Sequence, residues 1–158
     1  MFRELTRLKQ RLGDEECIQI LKNEKRGVLS VIGDGGYPYG MPMNHFYNVD
    51  DGKIYFHSGK NGHKIDALRI CGKVSFCVYD EGYRNDGEWA LHIKSVIVFG
   101  KVEFIDDREK IYEIAAALSR KFTDDEEYIG NEIKHSGPGT IMFAIVPEHI
   151  SGKTVCES

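Results

Sequence analysis

Three clusters of turn-forming residues, Gly33-Asp34-Gly35-Gly36, Asp50-Asp51-Gly52 and Ser136-Gly137-Pro138-Gly139, cut much of this chain into apolar runs too short to be ordinary helices. The runs beside them read as strands over 28–32, 37–49, 53–57, 74–79, 91–105 and 140–146, the last stopping before Pro147. Pro38 and Pro42 interrupt the second run, and proline removes a ladder donor, so these positions belong at an edge, a strand start or a bulge. Gly100 marks a bend or bulge in the long fifth run. Short turns between successive strands imply antiparallel pairing, and about six strands around one core predict a barrel. Without regular βαβ alternation, a doubly wound parallel sheet is not expected.

Helices are predicted before the first strand, after the third and between the last two. Asp14 precedes the acidic turn Glu15-Glu16, Ile18 and Leu21 recur at helical spacing, and Lys22, Lys25 and Arg26 follow. This pattern predicts a helix over about 15–25, closed by Gly27 as a left-handed cap. A short helix over 64–70 buries Ile65 and Leu68. A longer one over 108–122, capped by Asp106 or Asp107, carries the stripe Ile111, Ile114, Ala115 and Leu118. A more polar helix over 126–134 completes a helical insertion spanning about 108–134. Together the pattern defines a mainly β fold with inserted helices.

At 158 residues the chain is of single-domain size, and 41% hydrophobic content supplies one core, so residues 1–158 are expected to form one unit. A formal net charge of -4 argues against a general nucleic-acid binder, which would show a basic field. No apolar run approaches the roughly 20 residues that span a bilayer. The charged stretch Met1–Arg11 has no signal-peptide core, so a cytoplasmic protein is expected. Cys17, Cys71, Cys77 and Cys156 form no Cys-x-x-Cys pair, and each is read as an inert buried thiol.

The richest chemistry lies at the junction Phe56-His57-Ser58-Gly59-Lys60-Asn61-Gly62-His63-Lys64. A strand there enters a glycine-bearing loop that opens a helix, and a helix start offers unpaired N–H groups and partial positive charge. Lys64 adds a full charge, His63 a second donor and Ser58 a hydroxyl, while Gly59 and Gly62 allow close backbone approach. This loop is read as a phosphate holder. It lacks the Gly-Lys-[Ser/Thr] ending of a Walker loop, and Pro38 stands where Gly33-Asp34-Gly35-Gly36 would need the third glycine of a dinucleotide fingerprint. Pro42-Met43-Asn44-His45 lies one hairpin away, where Asn44 and His45 offer hydrogen bonds to a planar heterocycle. A solvent-facing His45 is the alternative. If their strands pair, Met43, Asn44, Phe56 and His57 would share one groove. Ser95 stands alone among the apolar residues of Val96-Ile97-Val98-Phe99, facing either solvent or a ligand. No histidine spacing fixes a metal geometry, and no Gly-x-Ser-x-Gly turn supports a hydrolytic triad.

In order and spacing, several segments resemble the flavin-binding split barrels related to pyridoxamine 5′-phosphate oxidase, and most of all the nitroimidazole-resistance (Nim-type) proteins. They are Gly36-Tyr37-Pro38-Tyr39-Gly40-Met41-Pro42-Met43, Ile54-Tyr55-Phe56-His57-Ser58, Gly62-His63-Lys64-Ile65-Asp66-Ala67-Leu68, Ser95-Val96-Ile97-Val98-Phe99-Gly100 and His149-Ile150-Ser151-Gly152-Lys153. The resemblance implies a six-stranded antiparallel split β-barrel and a homodimer holding FMN at the subunit interface. By the same resemblance, Gly62, His63, Lys64 and Ser58 take the FMN phosphate. Pro42, Met43, Asn44 and His45 line the isoalloxazine, Phe56 and His57 flank the ribityl chain, and Ser95 and Val96 belong to a cofactor-lining strand. Met43, Phe46, Phe56 and Trp89 are the apolar walls available to the flavin.

The function so implied is FMN-dependent oxidoreduction, of nitro-aromatic compounds such as 5-nitroimidazoles, with a reduced nicotinamide or other electron donor. His57 is the expected catalytic side chain. The arginine-rich C-terminal segment of the phosphate-ester oxidases has no counterpart after His149, so pyridoxamine 5′-phosphate oxidation is not expected. The alternatives are a non-enzymatic FMN electron carrier or redox sensor, and a split barrel binding haem or deazaflavin, with His45 or His57 as a haem ligand.

Overall fold

The structure is a computed structural model and describes residues 1–157. Eleven elements follow in order: α1 (Asp14–Asn23), β1 (Arg26–Ile32), β2 (Pro38–Asn44), β3 (Phe46–Asn48), β4 (Lys53–Gly59), α2 (His63–Ile70), β5 (Lys73–Tyr79), β6 (Leu91–Ile105), α3 (Arg108–Arg120), α4 (Glu126–Ser136) and β7 (Thr140–Glu157). The strands form one antiparallel sheet in the order β2-β1-β5-β6-β7-β4-β3. This is the expected mainly β split barrel with inserted helices, built from seven strands rather than six.

The extra strand arises at His45. The run 37–49 is not one strand: residues 38–44 pair with β1, while 46–48 pair with β4. These partners lie at opposite ends of the sheet, so the chain crosses from one open edge to the other at residue 45. Pro38 begins β2 and Pro42 lies within it, on an edge strand as proline chemistry requires.

Other boundaries move by one or two residues, and α1 and β7 depart with consequences. α1 starts one residue early, with Gly13 as cap, its N–H donating to Glu16 Oε2 at 3.2 Å, and it ends at Asn23 with an extended Glu24. Gly27 therefore does not cap a helix; it lies in β1. An added Cβ there would meet Cys77 O at 2.5 Å and Phe76 Cζ at 2.7 Å, so the position demands close approach of β1 to β5, not left-handed backbone. Gly27→Ala is expected to lower stability by about 1–3 kcal/mol through overpacking, read as a lower urea midpoint at unchanged m-value.

β7 also runs through Pro147 to Glu157. Opposite Gly100 the register jumps: Phe99 pairs with His149 but Gly100 with Pro147, leaving Glu148 as the extra residue. The bulge expected at Gly100 thus accommodates the donor-less proline.

The main core, inside the curled sheet, gathers Leu21, Leu29, Phe56, Phe76, Val98 and Phe143, with α1 and α2 packed against it. A second cluster of Tyr55, Ile114, Met142 and Ala144 places α3 on the other face of β4 and β7. α3 and α4 start where expected, because Asp107 accepts from the Glu109 and Lys110 amides and Asp125 from the Tyr128 amide. Of the cysteines only Cys17 is buried; Cys71 and Cys77 are half-buried and Cys156 is exposed, which corrects the reading of four core thiols. No helix among the described residues is long and apolar enough to cross a membrane.

Candidate functional site

β4 delivers the chain to the candidate turn. Ile54, Tyr55 and Phe56 are buried on alternate faces, by the core and by α3, and burial ends at His57. The loop then reaches Gly62, at φ 122° and ψ 168°, and α2 begins at His63. No side chain caps α2, and its first intrahelical bond runs from Asp66 N–H to Gly62 O at 3.1 Å. The opening amides of the helix are therefore free to meet an anion.

Lys64 projects from this first turn. Its Nζ lies 3.3 Å from Met43 Sδ and it forms no ion pair among the described residues. Burial lowers its pKa, as expected for an ammonium without a counter-charge. His57 is close enough to feel it: partial desolvation at the otherwise exposed end of β4, then the Lys64 charge, push its imidazole below its ordinary value. At neutral pH His57 is thus an uncharged imidazole with one donor and one acceptor nitrogen.

His63 has a role not foreseen. Its Nε2 accepts from the Asp34 amide at 3.2 Å, and its ring stacks on Tyr39 with centroids 4.4 Å apart and planes 11° from parallel. It pins the β1–β2 turn to the start of α2. Accepting at Nε2 leaves the proton on Nδ1. In the sequence Asp34 reads only as a turn residue and Tyr39 only as part of the Gly36–Met43 segment; the contact with His63 spans 29 residues for Asp34 and has no local signal.

The remaining residues divide by strand face. Met43 turns inward with Tyr39 and Met41, while Pro42 and Asn44 face outward, Asn44 Oδ1 accepting from Arg26 Nε at 3.1 Å. His45 does not face the groove with them, nor solvent: it is fully buried, its Nε2 2.7 Å from Leu21 O. Phe56 is also fully buried, between Phe143 and Phe76, and the Val96 side chain lies in the core. Ser95, half-buried, pairs with Tyr79 and Lys153. Trp89 is 84% exposed and walls nothing within this chain. β2 and β4 are not neighbours, so the expected shared groove of Met43, Asn44, Phe56 and His57 does not form. What the fold gathers instead is Met43, His57 and Lys64, with Ser58 and Gly62 on the same connection.

Two concavities lie away from the α2 turn. One of about 710 Å³ is lined by α1 residues with Asp80 and Lys94; another, of about 780 Å³, by Arg26, Val28, Pro42 and Tyr79 among others. The α2 turn is an open surface of the single chain. No three metal-binding side chains converge among the described residues.

Fold and turn together define a split β-barrel with an anion-ready helix start at the end of its fourth strand. A family model described as pyridoxamine 5′-phosphate oxidase matches residues 13–154, and the chain belongs to that family. Among solved structures, a protein described as a candidate 5-nitroimidazole antibiotic resistance protein from Bacteroides thetaiotaomicron superposes with a TM-score of 0.76 at 21% identity, covering 93% of this chain and 87% of that one. A FAD-binding protein from Mesorhizobium loti gives 0.65 at 24% identity, over 92% and 97% of the two chains. A FAD and heme binding protein from Mycobacterium smegmatis gives 0.70 at 20%, over 92% and 72%. At these identities the likeness is one of fold. Among curated proteins, no sequence matches.

Proposed function

We propose that this chain is an FMN-binding oxidoreductase whose cofactor phosphate docks on the opening turn of α2. The observation that carries the reading is the uncapped start of α2 beside Lys64, a half-buried ammonium with a thioether and no carboxylate as its neighbour. A phosphate dianion supplies what both lack. Ser58 and the loop glycines supply a hydroxyl and close backbone approach. Solved structures of this fold named for bound FAD support a flavin, and FMN is the smaller form, ending at the phosphate this turn would hold.

When bound, the flavin supplies the electron or hydride transfer. The chain's own part is to orient it and to limit water. His57, neutral at pH 7, offers one hydrogen bond beside Lys64 without adding a second positive charge. Met43 presents a polarizable apolar surface next to the same ammonium.

A flavin on so open a surface needs a second wall, since small-molecule sites bury most of their ligand. A second copy of the chain is the proposed source. The outer face of the sheet supports this: Val28, Cys77 and Ile97 stand in register across β1, β5 and β6, with Val28 and Ile97 each 38% exposed and Tyr79 60%. The proposed substrates are nitro-aromatic compounds, supported by the resistance-protein relative in fold.

The purified protein is expected to be a yellow dimer that releases FMN on denaturation, identified by mass. Lys64→Ala combined with Ser58→Ala should weaken flavin binding by about tenfold or more, the loss of a charge-assisted contact. Unchanged affinity would remove the site assignment. Under anaerobic conditions with excess reduced nicotinamide, repeated flavin reoxidation by a nitroimidazole, six electrons being needed per amine formed, supports the enzyme. No turnover with any nitro-aromatic compound points to a carrier or sensor.

A further inference from the structure

At residue 45 the backbone joins the two open edges of the sheet, so no strand ladder holds it on both sides. Two segments hold it instead, the exit of α1 and the end of α3. The His45 amide donates to Lys25 O at 3.3 Å, and its Nε2 donates to Leu21 O at 2.7 Å. From the end of α3, Lys121 Nζ donates to Glu24 O at 2.6 Å and to His45 O at 2.7 Å. One ammonium thus ties the exit of α1 to the crossing between β2 and β3. Met43, whose sulfur touches Lys64, is two residues upstream, and Asn44 is adjacent. Extended chain this short has little slack, because each residue has only two soft torsions.

We propose that Lys121 is a positioning residue for the flavin site: by fixing the carbonyls of Glu24 and His45 it sets the Met43–Asn44 end of β2 against Lys64. This rests on the reading of the α2 turn as the flavin site. The helical insertion is thereby coupled to the cofactor through residue 45.

The test compares wild type, Lys121→Met, Lys121→Arg and Ile129→Ala, the last a buried position of α4 that makes none of the hydrogen bonds at residue 45. Two readouts are taken under native conditions: hydrogen exchange of segment 41–45 in the flavin-free protein, and FMN affinity by fluorescence quenching. Lys121→Met is expected to raise both exchange and Kd about tenfold, the loss of one charge-assisted bond to each carbonyl. Lys121→Arg should restore most of both, and Ile129→Ala should leave both near wild type. Wild-type exchange in Lys121→Met overturns the proposal, as does faster exchange with unchanged affinity. So does an equal effect from Ile129→Ala. Should Lys121→Met not fold, Lys121→Gln carries the same comparison. If wild type binds no flavin, the reading of the site falls, and the tie at residue 45 stands or falls on the exchange alone.

Discussion

Phe56→Ala is expected to cost the fold about 3–5 kcal/mol, a large share of the 5–15 kcal/mol typical of a domain. The ring is fully buried. It stacks on Phe143 with centroids 5.2 Å apart and meets Phe76 edge-on at 5.1 Å. Truncation removes the apolar transfer energy and leaves a cavity that neighbouring strands, held in register by β7, cannot close. Urea denaturation measures it as a lower midpoint at unchanged slope. The same variant tests an expectation from resemblance, which set Phe56 beside the ribityl chain of a flavin. A loss below about 1 kcal/mol, together with weakened flavin binding, would return Phe56 to the site and take it out of the core.

The second large effect is acid lability centred on His45. Its Nε2 must carry a proton to donate to the Leu21 carbonyl, and Nδ1 is buried with no partner. Protonating Nδ1 would put charge in the core near the Lys121 ammonium. Burial, then that charge, push the imidazole down to about 4 from an ordinary 6.5. In the unfolded chain His45 takes its proton near 6.5, while the folded chain refuses it until about 4. Between those values the unfolded state holds more protons, so stability is complete above pH 6.5 and drains as pH falls toward 4. The total is about 3 kcal/mol, from 1.36 kcal/mol per unit. His45→Gln keeps a side-chain donor but does not titrate, so its stability should fall less than that of wild type between pH 7 and 4. Equal losses in the two proteins would show that His45 does not drive the effect.

The two predictions concern the two residues least legible in the sequence. Phe56 and His57 are consecutive in a strand, and consecutive side chains face opposite ways, so period two alone forbids their sharing a groove. Which of them faced the core was undecidable from the string Tyr55-Phe56-His57, because α3 covers one face of β4 and the barrel interior the other. His45 looked like either a ligand donor or a solvent-facing residue. It is neither, since its strand ends at Asn44 and the crossing there is turned into the core by contacts from α1 and α3. Those contacts span 24 and 76 residues, and no local pattern encodes them.

Local chemistry, by contrast, was readable wherever the cause was itself local. Gly62 before His63-Lys64 announces a helix start, Asp107 caps α3, and Gly100 predicts the bulge that Pro147 requires. Propensity, capping and turn chemistry act over a few residues, so the sequence alone determined the strands, the helices and the anion-ready turn at α2. Tertiary packing decided the rest: that run 37–49 divides, that β7 continues past its proline, and that Met43 rather than Phe56 meets Lys64. Those outcomes depend on which distant surfaces compete for the same side chain, and burial energy belongs to the assembled fold rather than to any stretch of chain.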